Sequence, residues 1–98
     1  MDLDKLDKLI HEKARLGIMS LLASRSESWC FQDLKGELGV SDGNLITHLR
    51  TLEKVNYVKS EKVEGVGRAQ TFYALTIKGR GAFKKYVETL EQVLKFGD

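Results

Sequence analysis

Polar side chains recur along the segment VSDGNLITHLRTLEKVNYV, which spans residues 40–58. Asparagine can bind an adenine edge through two hydrogen bonds, arginine can bind guanine in the same way, and threonine can contact a thymine methyl group. Lysine supplies charge for phosphate. At about 100° per residue these side chains share one side of a helix, opposite a stripe of leucines. This polar face consists of Asn44, Thr47, Arg50, Thr51 and Lys54, with His48 at its border.

The same segment carries the signals that start and stop a helix. Ser41 suits the N-cap, and we place it at the start of the candidate DNA-binding set. Leu45, Leu49 and Leu52 form the stripe that we expect to be buried. Asn56 tolerates the left-handed conformation in which many helices end. If this helix stood alone, its polar face would most simply be an ordinary solvated surface. The elements on either side of it are therefore needed to interpret the face as a binding surface.

A short helix precedes this one, after an extended piece at Trp29. Phe31, Leu34 and Leu38 share one of its faces, and Gly39 stands where a C-terminal glycine belongs. A short helix, a turn of a few residues and a second capped helix make a helix-turn-helix, predicted here over residues 31–55.

Two β-rich runs follow, and they predict a hairpin over residues 57–75 with the glycine-rich tip EGVG. A hairpin directly after a helix-turn-helix is called a wing. Its candidate DNA contacts are Lys62, Arg68 and Gln70, because an arginine at such a tip can enter a narrow minor groove. The alternative is a hairpin that its charges merely keep soluble.

The charge is concentrated in the same part of the chain. Residues 44–85 contain nine basic and three acidic residues, a net charge of +6, whereas all 98 residues together carry +2. A basic surface of this kind is what phosphate binding requires. The basic residues are Arg50, Lys54, Lys59, Lys62, Arg68, Lys78, Arg80, Lys84 and Lys85.

Other classes of function fit the residues poorly. His11 and His48 have no cysteine or carboxylate at ligand spacing, and no nucleophile motif or phosphate-binding glycine loop is present. We therefore expect a non-enzyme without metal or cofactor. The single cysteine, Cys30, excludes an internal disulfide and fits the cytoplasm. No apolar run is long enough to predict a membrane span.

The sequence resembles the small winged helix-turn-helix transcriptional regulators of the MarR/ArsR type from about Ile10 to Tyr86. The resemblance rests on FQDLKGELGVSDGNLITHLRTLEKVNYV and on TFYALTIKGRGAF, which is similar to the family's Leu-Thr-x-x-Gly-Arg segment after the wing. One departure is Asn56, where the family usually has glycine; the conformational demand is the same. The resemblance implies an α+β, helix-dominant winged helix that reads the major groove through residues 44–54.

Cys30 raises the separate question of whether the protein senses a metal ion or an oxidant. Some ArsR-type metal sensors carry two cysteines before an Asp-Leu pair, whereas CFQDL keeps only the first, and a thiophilic ion prefers three or four soft ligands. Cys30 also occupies a predicted N-cap, where helix amides favour a reactive thiolate. Asp33 opposes that effect, and Trp29 and Phe31 suggest burial. We expect a structural cysteine, with a redox sensor as the alternative.

The chain ends are rich in apolar residues. Residues 3–24 predict one long helix or two abutting ones, and residues 76–96 predict an amphipathic helix. Their apolar surface can cover the chain's own core, or, as the family resemblance favours, join two copies. The predicted homodimer interface consists of Leu3, Leu6, Ile10, Phe83, Tyr86, Val87, Leu90, Val93 and Leu94.

Together these features predict one domain over residues 1–98, a dimeric transcriptional regulator that binds an inverted repeat in double-stranded DNA. Two other hypotheses stay open. The winged helix can be a module that binds a protein partner. It can also be an effector-responsive or redox-responsive sensor that uses Cys30 or a pocket at the dimer seam.

Overall fold

The computed structural model describes residues 2–96. A 3-10 helix, Leu3–Lys5, precedes four α-helices and three strands in this part of the chain. The helices are α1 (Lys13–Ala23), α2 (Phe31–Leu38), α3 (Asp42–Lys54) and α4 (Ile77–Lys95). The strands are β1 (Trp29–Cys30), β2 (Val58–Val63) and β3 (Gln70–Leu75). The predicted α+β winged helix-turn-helix fold is confirmed.

The sheet is antiparallel, with β3 between β1 and β2. Strands β2 and β3 form the wing and pair from Val58 opposite Leu75 to Val63 opposite Gln70. Strand β1 pairs Trp29 with Tyr73 on the other side of β3. Because α2 begins directly after β1, this pairing fixes the start of the helix-turn-helix against the base of the wing.

One core lies under the helix-turn-helix and between the terminal elements. The predicted stripe of α3 is buried, with Leu45, Leu49 and Leu52 at most 2% exposed. Leu34 of α2 is buried as well, and Phe31 and Leu38 pack against it from the same helix face. The other buried apolar residues are Leu6, Ile10, Ile18, Met19, Leu22, Val58, Leu75 and Tyr86.

The prediction of helix over residues 3–24 is wrong between Leu6 and Glu12, which form turns. Asp7 explains the break, because its Oδ1 accepts the amide of Leu9 at 2.9 Å, a bond that competes with helical hydrogen bonding. Glu12 is extended and caps α1, since its Oε1 accepts the amide of Arg15 at 2.8 Å. The apolar residues before Lys13 therefore reach the core from irregular backbone rather than from a helix face.

The joint between α3, the wing and α4 explains the Thr-x-x-Gly part of the motif after the wing. Thr76 caps α4 by accepting the amide of Gly79, and its hydroxyl donates to the carbonyl of Asn56 at 2.6 Å. Asn56 adopts the predicted left-handed conformation, with φ of 63°. A Cβ at position 79 would collide with the backbone of Tyr57, the residue before β2. Glycine at this position therefore lets α4 start directly against the base of the wing.

Among residues 2–96, no helix combines the length and the apolar character needed to cross a bilayer.

Candidate nucleic-acid interface

The turn between α2 and α3 sets the direction of the recognition helix α3. Gly39 ends α2 in the left-handed conformation, with φ of 64°. Ser41 then caps α3, its Oγ accepting the amide of Asn44 at 3.2 Å. Lys35 of α2 forms an ion pair of 2.7 Å with Asp42 in the first turn of α3. The hydroxyl of Ser41 is thus engaged in capping, as its sequence position predicts.

The polar face of α3 points away from the core. Asn44, Thr47, Arg50 and Lys54 are exposed, opposite the buried leucines. Thr51 is half-buried, and its hydroxyl donates to the carbonyl of Thr47 at 3.1 Å. These side chains are therefore available to a ligand that approaches α3 along its length.

His48 differs from the rest of the predicted set because it is bonded to α1. Its Nδ1 lies 3.1 Å from Nη1 of Arg15, which has only hydrogens to donate, so Nδ1 accepts. The carboxylate of Glu12 lies 3.7 Å from the same nitrogen. Arg15 also donates through Nε to the carbonyl of Leu9 at 2.6 Å. The structure thus engages Nδ1 of His48, which the sequence places among the candidate DNA contacts, in an intramolecular network with α1.

Glu12 contributes a negative charge to this network. The backbone amide of Arg15, donating to the carboxylate, lowers the pKa of Glu12, and the amide of Ala14 and the charge of Arg15 lower it further against the opposing effect of burial. The carboxylate therefore stays ionised beside His48. The sequence pattern did not single out Glu12 or Arg15, because their role depends on the tertiary approach of α1 to α3.

The wing extends from the sheet and carries its polar side chains in solvent. Lys62, Arg68 and Gln70 are all exposed, near a tip in which Gly67 adopts a positive φ of 94°. Every one of the nine basic residues between 44 and 85 is exposed. Within residues 2–96, the ion pairs involve other side chains, namely Glu12, Arg15, Lys35, Asp42 and His48. The charge predicted from the sequence is thus free on the surface of α3, the wing and α4.

A cleft of about 330 Å³ separates the helix-turn-helix from the wing. Cys30 lies in its wall at the N-cap of α2, half-buried and without a hydrogen bond from its side chain to the helix. The wall also contains Ile46 of α3, which the sequence interpretation left out. The only signal for Ile46 was its position on the helix, between the leucine stripe and the polar face. The remaining lining residues are Phe31, Gln32, Arg68, Ala69, Gln70, Thr71 and Tyr73.

The terminal residues divide into two groups, and this corrects the predicted dimer interface. Leu6, Ile10 and Tyr86 are buried within the chain, so the prediction that they contact a second copy is wrong. The buried Tyr86 also makes a polar contact, because its hydroxyl lies 2.7 Å from Nδ1 of His11. The partly buried residues Phe83, Val87, Leu90 and Val93 also pack on the core. The exposed apolar residues at this end are Leu3, Leu94 and Phe96.

Known proteins resemble this chain over most of its length. An uncharacterised protein of Methanocaldococcus jannaschii is 37% identical over 89 residues, which cover 90% of this chain and 95% of that protein. The structure of a transcriptional regulator homologue from Pyrococcus horikoshii OT3 is similar with a TM-score of 0.86 and 30% identity, covering 97% of this chain and 94% of that one.

A more distant structure, a MarR-family regulator from Enterococcus faecalis V583, shares the fold with a TM-score of 0.81 at 21% identity, over 99% of this chain and 90% of that one. The sequence model of the winged helix DNA-binding domain family matches residues 14–94, from α1 to the end of α4. The chain therefore belongs to the winged helix DNA-binding domain family and is a winged-helix regulator.

Proposed function

We propose that this protein is a homodimeric transcriptional regulator that binds an inverted repeat in double-stranded DNA. Helix α3 enters the major groove, and the wing lies against the backbone or the adjacent minor groove. The observation that carries the proposal is that the polar face of α3 and the basic side chains of the wing are both exposed, on the two sides of one cleft. These basic residues are free of intramolecular ion pairs within residues 2–96, so their charge is available to phosphate.

The residues of α3 have different tasks in this proposal. Asn44 and Thr47 lie in the N-terminal half of the helix, which comes nearest the base edges, so they contact bases. Arg50 contacts guanine or the backbone. Thr51 and Lys54 lie nearer phosphate. In the wing, Lys62, Arg68 and Gln70 contact the backbone or the minor groove. Ser41 and His48 act chiefly by holding the helix in place.

The dimer in this proposal forms through the end of the molecule that leaves apolar residues in solvent. The 3-10 helix Leu3–Lys5 packs on α4, so Leu3 lies at the same end as Leu94 and Phe96. These three side chains are 59%, 65% and 67% exposed. Binding to half-sites one turn of DNA apart requires that the two-fold axis place the two recognition helices about 34 Å apart.

Selection from random duplex DNA tests the proposal directly. We expect enrichment of an inverted repeat whose half-sites are about 10 base pairs apart centre to centre. Enrichment of a single unrepeated site would remove the dimer but keep DNA recognition. A pool without any enriched sequence, together with binding that is equally weak on all duplexes, would contradict sequence-specific regulation and favour a module that binds a protein partner.

A further inference from the structure

The cleft between the helix-turn-helix and the wing lies between the two surfaces that the proposed function assigns to DNA. Its wall on the wing side is polar and positively charged, with Arg68, Gln70 and Thr71. Gln32 adds an amide from the first turn of α2. On the α3 side the wall is apolar and is formed by Ile46. An occupant that suits the whole cleft must therefore combine negative charge with an apolar group.

Ile46 lies in the wall of the cleft and keeps 38% of its surface in solvent, although it is a large apolar residue. A β-branched residue on an exposed helix face loses some helix propensity compared with alanine or a polar long-chain residue. The flanking positions Asn44, Thr47 and Arg50 are all polar and exposed. Ile46 is thus a partly exposed apolar side chain at the edge of the polar face, in the cleft beside the wing.

One strand of a duplex has the required combination of groups. Its sugar-phosphate backbone is negatively charged, and thymine presents a 5-methyl group in the major groove, which apolar side chains contact. We infer that the cleft seats one DNA strand and that Ile46 is a specificity-determining residue, which contacts the 5-methyl group of a thymine on that strand. The inference rests on the proposed function, because it requires α3 in the major groove.

The expected size of the contact is small but measurable. Burial of one methyl group between a base and Ile46 corresponds to roughly a fourfold change in affinity. The polar wall does not distinguish bases, so it contributes affinity on every sequence. A thymine preference at one position of each half-site is therefore the signature of Ile46.

Replacement of thymine by uracil removes the methyl group without changing base pairing. Each thymine of the selected duplex is replaced in turn, and binding is measured with the full-length protein and with Ile46→Ala. We expect one position per half-site at which uracil lowers the affinity of the wild-type protein about fourfold and leaves that of Ile46→Ala unchanged. Ile77→Ala is the matched control, because Ile77 is 95% exposed at the start of α4 and outside the cleft. It should respond to uracil like the wild-type protein.

A second pair of variants tests whether the cleft binds a DNA strand. Gln32→Glu places a negative charge in the cleft and should weaken binding more than tenfold, whereas Ser20→Glu, on the exposed surface of α1 and outside the cleft, should change it less than twofold. Equal effects of the two variants would contradict the inference that the cleft binds a DNA strand. A selected half-site without thymine, or uracil effects that persist in Ile46→Ala, would overturn the role of Ile46. These results would leave sequence-selective DNA binding intact, so they would contradict the inference and not the proposed function. The proposed function would be contradicted by a protein that binds all duplexes equally.

Discussion

Nη1 of Arg15 lies 3.1 Å from Nδ1 of His48, and this contact joins the first turn of α1 to the middle of the recognition helix. Arg15 is held in turn by the carbonyl of Leu9 and lies 3.9 Å from the carboxylate of Glu12. The turn-forming segment before α1 therefore contributes to the position of α3. This arrangement separates side chains that hold the recognition helix from those that are free to contact DNA.

The role of His48 can be tested by His48→Ala. The substitution leaves the partly buried guanidinium of Arg15 without its acceptor on α3, so we expect the free energy of unfolding to fall by about 1–2 kcal/mol. The dependence of DNA affinity on salt should not change, because no phosphate contact is removed. Thr47→Ala is the control, since the adjacent side chain is exposed and should affect DNA binding but hardly stability. A stable His48→Ala variant with a reduced salt dependence would show that His48 contacts DNA.

Base contact and backbone contact predict different mutant behaviour. Asn44→Ala should cost about 1–3 kcal/mol on the selected site and little on a scrambled duplex. Arg68→Ala should weaken binding to both duplexes and reduce the slope of log affinity against log salt by about one contact. Binding isotherms over a salt series on the two duplexes measure both effects. Equal losses for Asn44→Ala on the two duplexes would exclude Asn44 from base contact.

Two glycines of α4 should respond oppositely to alanine. Gly79→Ala places a Cβ against the backbone of Tyr57, which cannot move aside as a flexible side chain could, so we expect a loss of about 3 kcal/mol. Gly81→Ala meets open space in the same helix and should stabilise the protein by about 0.5–1 kcal/mol. Urea denaturation of both variants measures the difference. Similar stabilities would mean that α4 does not start against the wing as described.

Tyr57 predicts a dependence of stability on alkaline pH. Burial, reinforced by the hydrogen bond of 2.5 Å that its hydroxyl donates to Asp7, raises the pKa of Tyr57 to about 12. In the unfolded chain the hydroxyl ionises near pH 10, so this contribution to stability is complete below pH 10 and is lost as the pH rises towards 12.

The comparison with Tyr57→Phe isolates the pH dependence of stability that is due to Tyr57 from that due to the other tyrosines and the lysines. At pH 7 the variant should be less stable by about 1 kcal/mol, because Asp7 loses its donor. The difference between the two proteins should shrink between pH 10 and pH 12 in denaturation experiments. Parallel stability profiles over that range would contradict the raised pKa.

The proposed dimer depends on the exposed apolar end of α4. Leu94→Glu should give a folded monomer, because the side chain is 65% exposed and adds little to the core of its own chain. The monomer should lose most of its specific affinity and retain weak, salt-sensitive binding. Glu91→Gln changes a charge in the same helix and is the control. Analytical ultracentrifugation decides the matter: a wild-type chain that is monomeric at tens of micromolar would contradict the dimer.

The sequence by itself determined the elements whose signals are local. Ser41, Gly39 and Asn56 marked the ends of helices correctly, because capping and left-handed backbone depend on residues within one turn of the chain. The leucine stripe of α3 identified its buried face, since helical spacing alone places Leu45, Leu49 and Leu52 together. The polar face opposite that stripe followed from the same periodicity.

Tertiary structure decided what the periodic pattern could not. Leu6 and Ile10 have the spacing of a helix face, yet the carboxylates of Asp7 and Glu12 bind nearby amides and break the helix, and both apolar side chains enter the chain's own core. His48 lies at the border of the polar face, where only the approach of Arg15 from α1 determines that its Nδ1 is engaged. Ile46 became visible as a candidate contact because the wing folds back to form a cleft beside it. Each of these outcomes depends on groups distant in sequence, whose proximity is set by packing of the whole chain rather than by local propensity.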